Sequence, residues 1–330
     1  MTTTLFSRAR GSLLGLALGD ALGMPTQSMS PSTIAGTYGT VTGLLPAVAE
    51  QPIAPGMPAG SVTDDTEQAF VFADLLITGR TEPPQIAAAL ADWEDRMRAK
   101  GSLDLLGPST RRAIQAVRDG VPATETGRTG TTNGAAMRIA PVGIVCPPEN
   151  PSRLLDTVER LSLVTHNTGI ALSGAAAVAG AISAGLDGAG VPDAIEYGLA
   201  RAAEASTRGH WVAAADVAAR TAAGIRETAG LDTPRVTAFL RERIGTSLLT
   251  QESVPAALIL TVRFADAPWQ ALLQAANLGG DTDTIGAMCG AVLGACGAEF
   301  PAAESAQVLA RNALPLDATV RGLLGLRERG

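Results

Sequence analysis

Gly286, Gly290 and Gly294 recur at four-residue spacing inside the apolar run 283–297. Residues four apart stack on one side of a helix, so these three form a flat stripe without side chains. Such a stripe lets another backbone approach closely, and it reads as a tightly packed core contact. The composition points the same way. Apolar residues make up 46% of the chain and aromatics only 3%. Ala and Leu, which dominate, lead the helix scale, whereas strands favour β-branched and aromatic residues. There is no alternating run long enough for a strand and no solenoid-length repeat. The expectation is an all-α chain.

Helical patterns are expected at 8–24, 64–79, 84–100, 108–119, 151–165, 169–186, 192–206, 211–229, 233–242, 254–264, 268–276, 283–297, 303–312 and 316–327. Residues 123–136 read as a polar Gly/Thr-rich loop. No segment reads as a linker, so one domain over residues 1–330 is expected. The longest Pro/Gly-rich stretch, Tyr38–Gly60, is followed at once by helix-like sequence. It reads as an ordered surface excursion, either a lid over a site or an ordinary loop.

The formal net charge is −7, and no basic face is visible, which argues against a nucleic-acid partner. Cys146, Cys289 and Cys296 lack metal-finger spacing and read as small core residues in a reducing compartment. Arg8 and Arg10 precede the apolar 13–18 as in a signal peptide, but that run is short and Asp20 ends it. No apolar stretch reads as reaching the ~18 residues of a membrane span. A cytoplasmic protein without a membrane partner is expected.

Two acidic helix entrances carry the chemistry: Thr63-Asp64-Asp65-Thr66 and Asp281-Thr282-Asp283-Thr284. Each follows a Gly-containing loop and opens an apolar helix. One reading is capping, since Asp64 with Glu67 has capping-box spacing and carboxylates suit the positive end of a helix. One cap, however, needs one carboxylate, and each entrance has two with hydroxyls interleaved. Clustered Asp and Thr oxygens without His or Cys suit a hard cation such as Mg²⁺. Four carboxylates in one cleft would repel unless a metal pair, ~3.5–4 Å apart, supplied the counter-charge.

Four motifs in this order resemble the ADP-ribosylglycohydrolase family: Gly15–Gly23 (GLALGDALG), Thr63–Thr66, Asn133–Arg138 (NGAAMR) and Asn277–Gly286 (NLGGDTDTIG). The resemblance implies an all-α, compact single-domain orthogonal helical bundle with two Mg²⁺ ions, Mn²⁺ being a possible substitute. It implies Thr63, Asp64, Asp65, Asp281, Asp283 and Thr284 as metal ligands, with Asp64, Asp65, Asp281 and Asp283 also serving catalysis. Asn133, Gly134, Ala135 and Met137 would bind phosphates or a distal ribose, and His166 in its Thr-His pair resembles a family substrate contact.

Many members carry a glutamate four residues after the opening motif, where this chain has Gln27, which would contact substrate but cannot act as a base. Asp20 would either cap a helix or hold a metal ligand from behind. His210, beside Trp211, reads as structural. Leu106–Thr110 and Glu252–Pro255 resemble a bacterial branch, which implies a small nucleoside-like substrate. The expected activity is Mg²⁺-dependent hydrolysis of the anomeric bond of an ADP-ribosyl adduct, on a small-molecule or ADP-ribosylated substrate. The alternatives are hydrolysis of a free nucleoside or other small N-riboside, and a non-catalytic binder or crystallin-like structural protein on the same scaffold.

Overall fold

The computed structural model describes residues 3–99 and 106–329. Among the described residues there is no strand, only three isolated bridges between loops. The chain runs through α1 Thr3–Gly23, α2 Pro31–Tyr38, α3 Asp64–Thr78, α4 Pro83–Ala99, α5 Pro108–Arg118, α6 Gly134–Met137, α7 Ala140–Val145, α8 Pro151–His166 and α9 Gly169–Leu186. It continues through α10 Val191–Ala205, α11 Val217–Thr228, α12 Thr233–Phe239, a π turn at Leu240–Ile244, α13 Thr250–Arg263, α14 Pro268–Asn277, α15 Thr282–Ala295, α16 Ala302–Asn312 and α17 Leu316–Arg327.

The glycine stripe of α15 meets a second stripe on α1. A Cβ on Gly15 would fall 2.1 Å from the Gly290 carbonyl oxygen, and one on Gly19 would fall 2.0 Å from that of Gly286. In the other direction, a Cβ on Gly294 would fall 2.0 Å from the Gly11 carbonyl oxygen. The two backbones touch along their length, so no larger residue fits at these positions. This contact matters for the site because α1 carries Asp20 and α15 begins beside Asp281 and Asp283.

Helix α9 corrects one expectation. By length and composition it is apolar enough to cross a membrane, yet every residue of it is buried within the protein. It is the central helix of the bundle, enclosed by α6, α7, α8, α10 and α15. An Ala/Gly-rich helix of this kind needs no charged face because neighbours cover it on all sides.

Other departures have local causes. Helix α2 was not anticipated, although Ser30 caps it by accepting from the Thr33 amide at 3.1 Å and Pro31 starts it. The segment 134–145, partly read as loop, forms two short buried helices, α6 and α7. Helix α11 starts at Val217 rather than near 211 because Asp216 caps it, and His210 is held by backbone bonds to Asn167 and Gly169. Helix α13 starts four residues before Val254 because Thr250 bonds the Thr131 carbonyl through both its amide and its hydroxyl. The last residue of the expected helix 84–100 lies outside the described residues. Cys146, Cys289 and Cys296 are free thiols, the first two buried.

The segment after α2 is ordered by specific bonds. Asn277 accepts from the Val41 amide and donates to its carbonyl, both at 2.9 Å. Gln51 is buried and donates to the Gln27 carbonyl at 2.9 Å, while its own oxygen accepts from the amides of Ile53 and Ala54. Ala47 and Ala54 pack on Met24.

Candidate active site

At the start of α3, the capping work is done without Asp64 or Asp65. Thr63 is the N-cap residue, and its hydroxyl accepts from the Asp65 amide at 3.3 Å. Asp20, fully buried on α1, accepts from the Thr63 amide at 3.0 Å on each oxygen. Its Oδ2 also accepts from the Thr66 amide at 3.1 Å and from the Thr66 hydroxyl. Asp20 therefore caps α3 and ties the acidic entrance to α1. Its burial raises its pKa to about 6 despite these four bonds.

At the start of α15, the chain reaches the aspartates through Gly279 and Gly280, at φ +79° and +82°. L-residues with a side chain rarely adopt such angles. A Cβ on Gly280 would also fall 2.2 Å from the Thr246 carbonyl oxygen. The turn is stitched on both sides: the Gly280 amide donates to the Met29 carbonyl and the Asp281 amide to that of Thr246. Ser28, itself at φ +60°, donates from its amide to the Gly280 carbonyl at 2.7 Å. Asp281 occupies the N-cap position but makes no side-chain capping bond. Capping does not account for this second acidic pair.

The two entrances face one another across a cleft of about 320 Å³ lined by Asp64, Asp65, Asp281, Asp283, Thr284 and Gln27, with Ser28, Thr132, Asn133, Gly134 and Met137. The Thr284 hydroxyl donates to Asp65 Oδ2 at 3.2 Å, and the Thr63 hydroxyl donates to the same oxygen at 3.1 Å. Asp65 and Asp283 are almost wholly buried, and Oδ1 of each has no hydrogen-bond partner. Burial, and then repulsion from the other acids of the cluster, pushes the pKa of Asp65 and of Asp283 well above the usual carboxylate value. Asp281 is raised mainly by burial and is opposed by its bonds to Asn133 and Thr284.

Neighbours aim the remaining carboxylates. Asn133 donates from Nδ2 to Asp281 Oδ2 and to the Ser253 hydroxyl. Gln68, one turn after Asp64 on α3, donates to Asp64 Oδ2 at 2.9 Å. Sequence reasoning missed Gln68, and the i, i+4 spacing was its only signal. It also missed Thr132, Ile53, Leu106, Arg111 and Leu248, which complete the cleft from other loops.

Three expected contacts sit elsewhere. His166 is fully buried behind the Asn133–Met137 loop and does not line the cleft; a Cβ on Gly134 would fall 2.8 Å from its Cε1. The glycine lets the loop lie flat on the imidazole, so the ring supports the loop instead of facing the cleft. Ala135, within the same segment, is buried and does not line the cleft. Thr63 turns its hydroxyl to Asp65 and lines an adjoining cavity, of about 420 Å³, that shares Asp64 with the cleft. Of the six expected ligands, Asp64, Asp65, Asp281, Asp283 and Thr284 line the cleft itself.

As they stand, no three acidic, histidine or cysteine side chains among the described residues converge closely enough to grip a metal ion. The donor chemistry nevertheless fits a hard cation. The cleft is lined by four aspartates and several hydroxyls with no His or Cys, and two of its buried carboxylate oxygens lack partners. A buried carboxylate oxygen without a partner is costly, and a divalent cation would satisfy both atoms and relieve the mutual repulsion.

A family model described as ADP-ribosylglycohydrolase matches residues 1–324. The uncharacterized protein YegU of Escherichia coli (strain K12) is 35% identical over 87% of this chain and 87% of its own length. ADP-ribosylarginine hydrolase Tri1 of Pseudomonas putida (strain GB-1) is 30% identical over 55% of this chain and 47% of its own. A solved chain described as an ADP-ribosylglycohydrolase-related protein complex superposes with a TM-score of 0.69 at 26% identity, covering 99% of this chain and 100% of that one.

Proposed function

The chain belongs to the ADP-ribosylglycohydrolase family of hydrolases acting on glycosyl bonds, and from that premise we propose that its acidic cleft binds two Mg²⁺ ions and hydrolyses the anomeric bond of an ADP-ribosyl adduct. The observation that carries this reading is the pair of buried, partnerless oxygens on Asp65 and Asp283, two residues from remote segments that line one cleft. Asp64, Asp65, Asp281, Asp283 and Thr284 would hold the ions, with Thr63 bonded to Asp65 beside them. Bound there, the ions would supply positive charge to orient ribose hydroxyls and to acidify a water.

The protein's own groups do the rest. Asp64 and Asp281 are less buried than Asp65 and Asp283, so their carboxylates are the ones open to a water in the cleft. One of them accepts the proton of the attacking water. Gln68 and Asn133 each occupy one oxygen of these acids and so fix their orientation. Gln27 lines the cleft as an amide and takes no proton, which leaves proton transfer to the aspartates. As the anomeric bond breaks, its electron pair departs with the leaving group, which takes up the proton the aspartate accepted, while the negative cluster favours the oxocarbenium-like charge on the sugar. Ile53, Leu106, Met137 and Leu248 form apolar parts of the wall that exclude water.

A second reading, hydrolysis of a free nucleoside or other small N-riboside, draws support from the cleft volume. At about 320 Å³ it lies at the small end for ligand sites. The adjoining cavity that shares Asp64 gives a larger substrate room. Purified protein should be assayed with Mg²⁺, and again after chelation, against ADP-ribosyl-arginine, ADP-ribosyl-serine and free nucleosides. Chelator-sensitive release of ADP-ribose supports the main reading. Release of free base from nucleosides alone supports the second, and turnover that survives chelation overturns the metal role.

A further inference from the structure

Behind the cleft lies a chain of buried side chains, of which the proposed activities use only Gln68. Arg138 is fully buried, with its guanidinium 4.6 Å over the Phe72 ring. Its Nη1 donates to Gln68 Oε1 at 2.5 Å, and its Nη2 to Thr165 Oγ1 at 2.6 Å. Its Nε has no partner. Beyond Thr165, the His166 Nδ1 lies 2.8 Å from the Thr165 hydroxyl, and His166 Nε2 lies 3.0 Å from the Thr132 hydroxyl. Thr132 lines the cleft.

We propose that Arg138 sets the direction of every hydrogen bond in this chain, so that the Thr132 hydroxyl presents its hydrogen to the cleft as a donor to a substrate oxygen. A guanidinium can only donate. Toward α3, it holds the carbonyl end of Gln68, which turns the amide end to Asp64 and makes that carboxylate an acceptor. Toward the loop, it fills a lone pair of Thr165, whose own hydrogen then goes to its remaining neighbour, His166 Nδ1. A ring nitrogen that accepts carries no proton, so the neutral imidazole keeps its proton on Nε2.

That Nε2–H donates to Thr132, whose hydroxyl hydrogen is left over. Burial, together with the charges of Arg138 and Arg112, holds His166 well below its usual pKa, so the ring is neutral. Burying an arginine without a carboxylate in contact is expensive. Burial lowers the Arg138 pKa only to about 10, so the guanidinium stays charged near neutral pH. Arg138, Thr165 and His166 are positioning residues, and Thr132 is the group that touches ligand. Only the identity of that ligand rests on the functional reading above.

The chain has two histidines, so imidazole spectra of the nitrogen-labelled, full-length, Mg²⁺-loaded protein show two rings, and His210→Gln identifies His166. The expected result is a His166 proton on Nε2, with a mixture of tautomers in Thr165→Val. A proton on Nδ1 in the unsubstituted protein, or an unchanged tautomer in Thr165→Val, overturns the proposal. Calorimetry with ADP-ribose reads the outer end: Thr132→Val should lose about fivefold in affinity, the size of one neutral hydrogen bond, and Thr132→Ser should restore it. Equal affinities in all three overturn the donor role. The two readings fail separately: an unsubstituted chain that binds no ADP-ribose contradicts the proposed substrate, while the tautomer spectrum needs no ligand and still decides the direction of the chain.

Discussion

The hydroxyl of Thr284, in the first turn of α15, lies 3.2 Å from Oδ2 of Asp65, in the first turn of α3, although 219 residues separate them in sequence. The contact brings two acidic helix entrances together at one floor. Asp65 and Asp283 there each keep one oxygen without a partner. A site of this kind is built against its own stability, since burial and like charge both oppose ionisation.

Replacing either buried acid by its amide should therefore separate stability from function. Asp65→Asn or Asp283→Asn should raise the melting temperature of the chelator-treated protein by about 2 °C or more. Both should abolish turnover and the stabilisation given by added Mg²⁺. Thermal scans with and without chelator check this. A variant that melts lower than the parent yet still responds to Mg²⁺ would contradict the placement of the cluster.

The pH dependence has a definite sign. Asp20 ionises near 3.8 when unfolded and at about 6 when folded. The folded state therefore holds this proton more tightly. Its contribution to stability is fully present below the lower value and is lost as pH rises through the upper one. Asp65, Asp281 and Asp283 are shifted in the same direction. Without metal, the protein should melt higher at about pH 5 than at about pH 7.5. Added Mg²⁺ should protect more at the higher pH, because its ligands must be deprotonated. A metal-free protein that is most stable above neutrality would contradict the assignment.

The glycine contact between α1 and α15 should control the site from a distance. Gly286→Ala places a Cβ 2.5 Å from the Gly19 carbonyl oxygen, so the helices must part. A cost of about 2 kcal/mol or more is expected from such overpacking. The separation also moves Asp20 away from Asp283, so Mg²⁺ affinity should fall with stability. Gly36→Ala, with nothing within 4 Å of the new Cβ, serves as the control and should leave both unchanged. Denaturant unfolding and metal titration of the two variants make the comparison.

Gln51 ties the segment after α2 to the cleft by donating to the Gln27 carbonyl and accepting from Ile53 and Ala54. Ile53 is part of the cleft wall. We expect Gln51→Ala to loosen this wall and raise KM several-fold while changing kcat little. Steady-state kinetics separates the two, and a loss confined to kcat would place the segment in the chemistry instead.

Much of this arrangement was legible in the residues alone. The stripe Gly286, Gly290 and Gly294 announced a close helix contact, but its partner did not stand out, because α1 reads as generally rich in small residues. The acidic pairs were visible as more carboxylate than capping requires, and the structure shows why: Thr63 and Asp20 already cap α3. His166 was misplaced because a Thr-His pair says nothing about which side of a loop the ring occupies. Gln68 and Thr132 were missed because each looks ordinary in sequence, Arg138 stood out only as the end of the NGAAMR motif, and their connection exists only once α3, α6 and α8 pack together. Helix α9 was underrated as an apolar span because scattered glycines and serines break its run without exposing any of it.

The central claim is that α3 and α15 share divalent cations through Asp65 and Asp283. Calorimetric titration of Mg²⁺ into chelator-stripped protein tests it most directly, beside Asp65→Asn and Asp283→Asn. The account predicts binding heats in the parent that disappear in both variants. Binding that persists unchanged in either variant would contradict it.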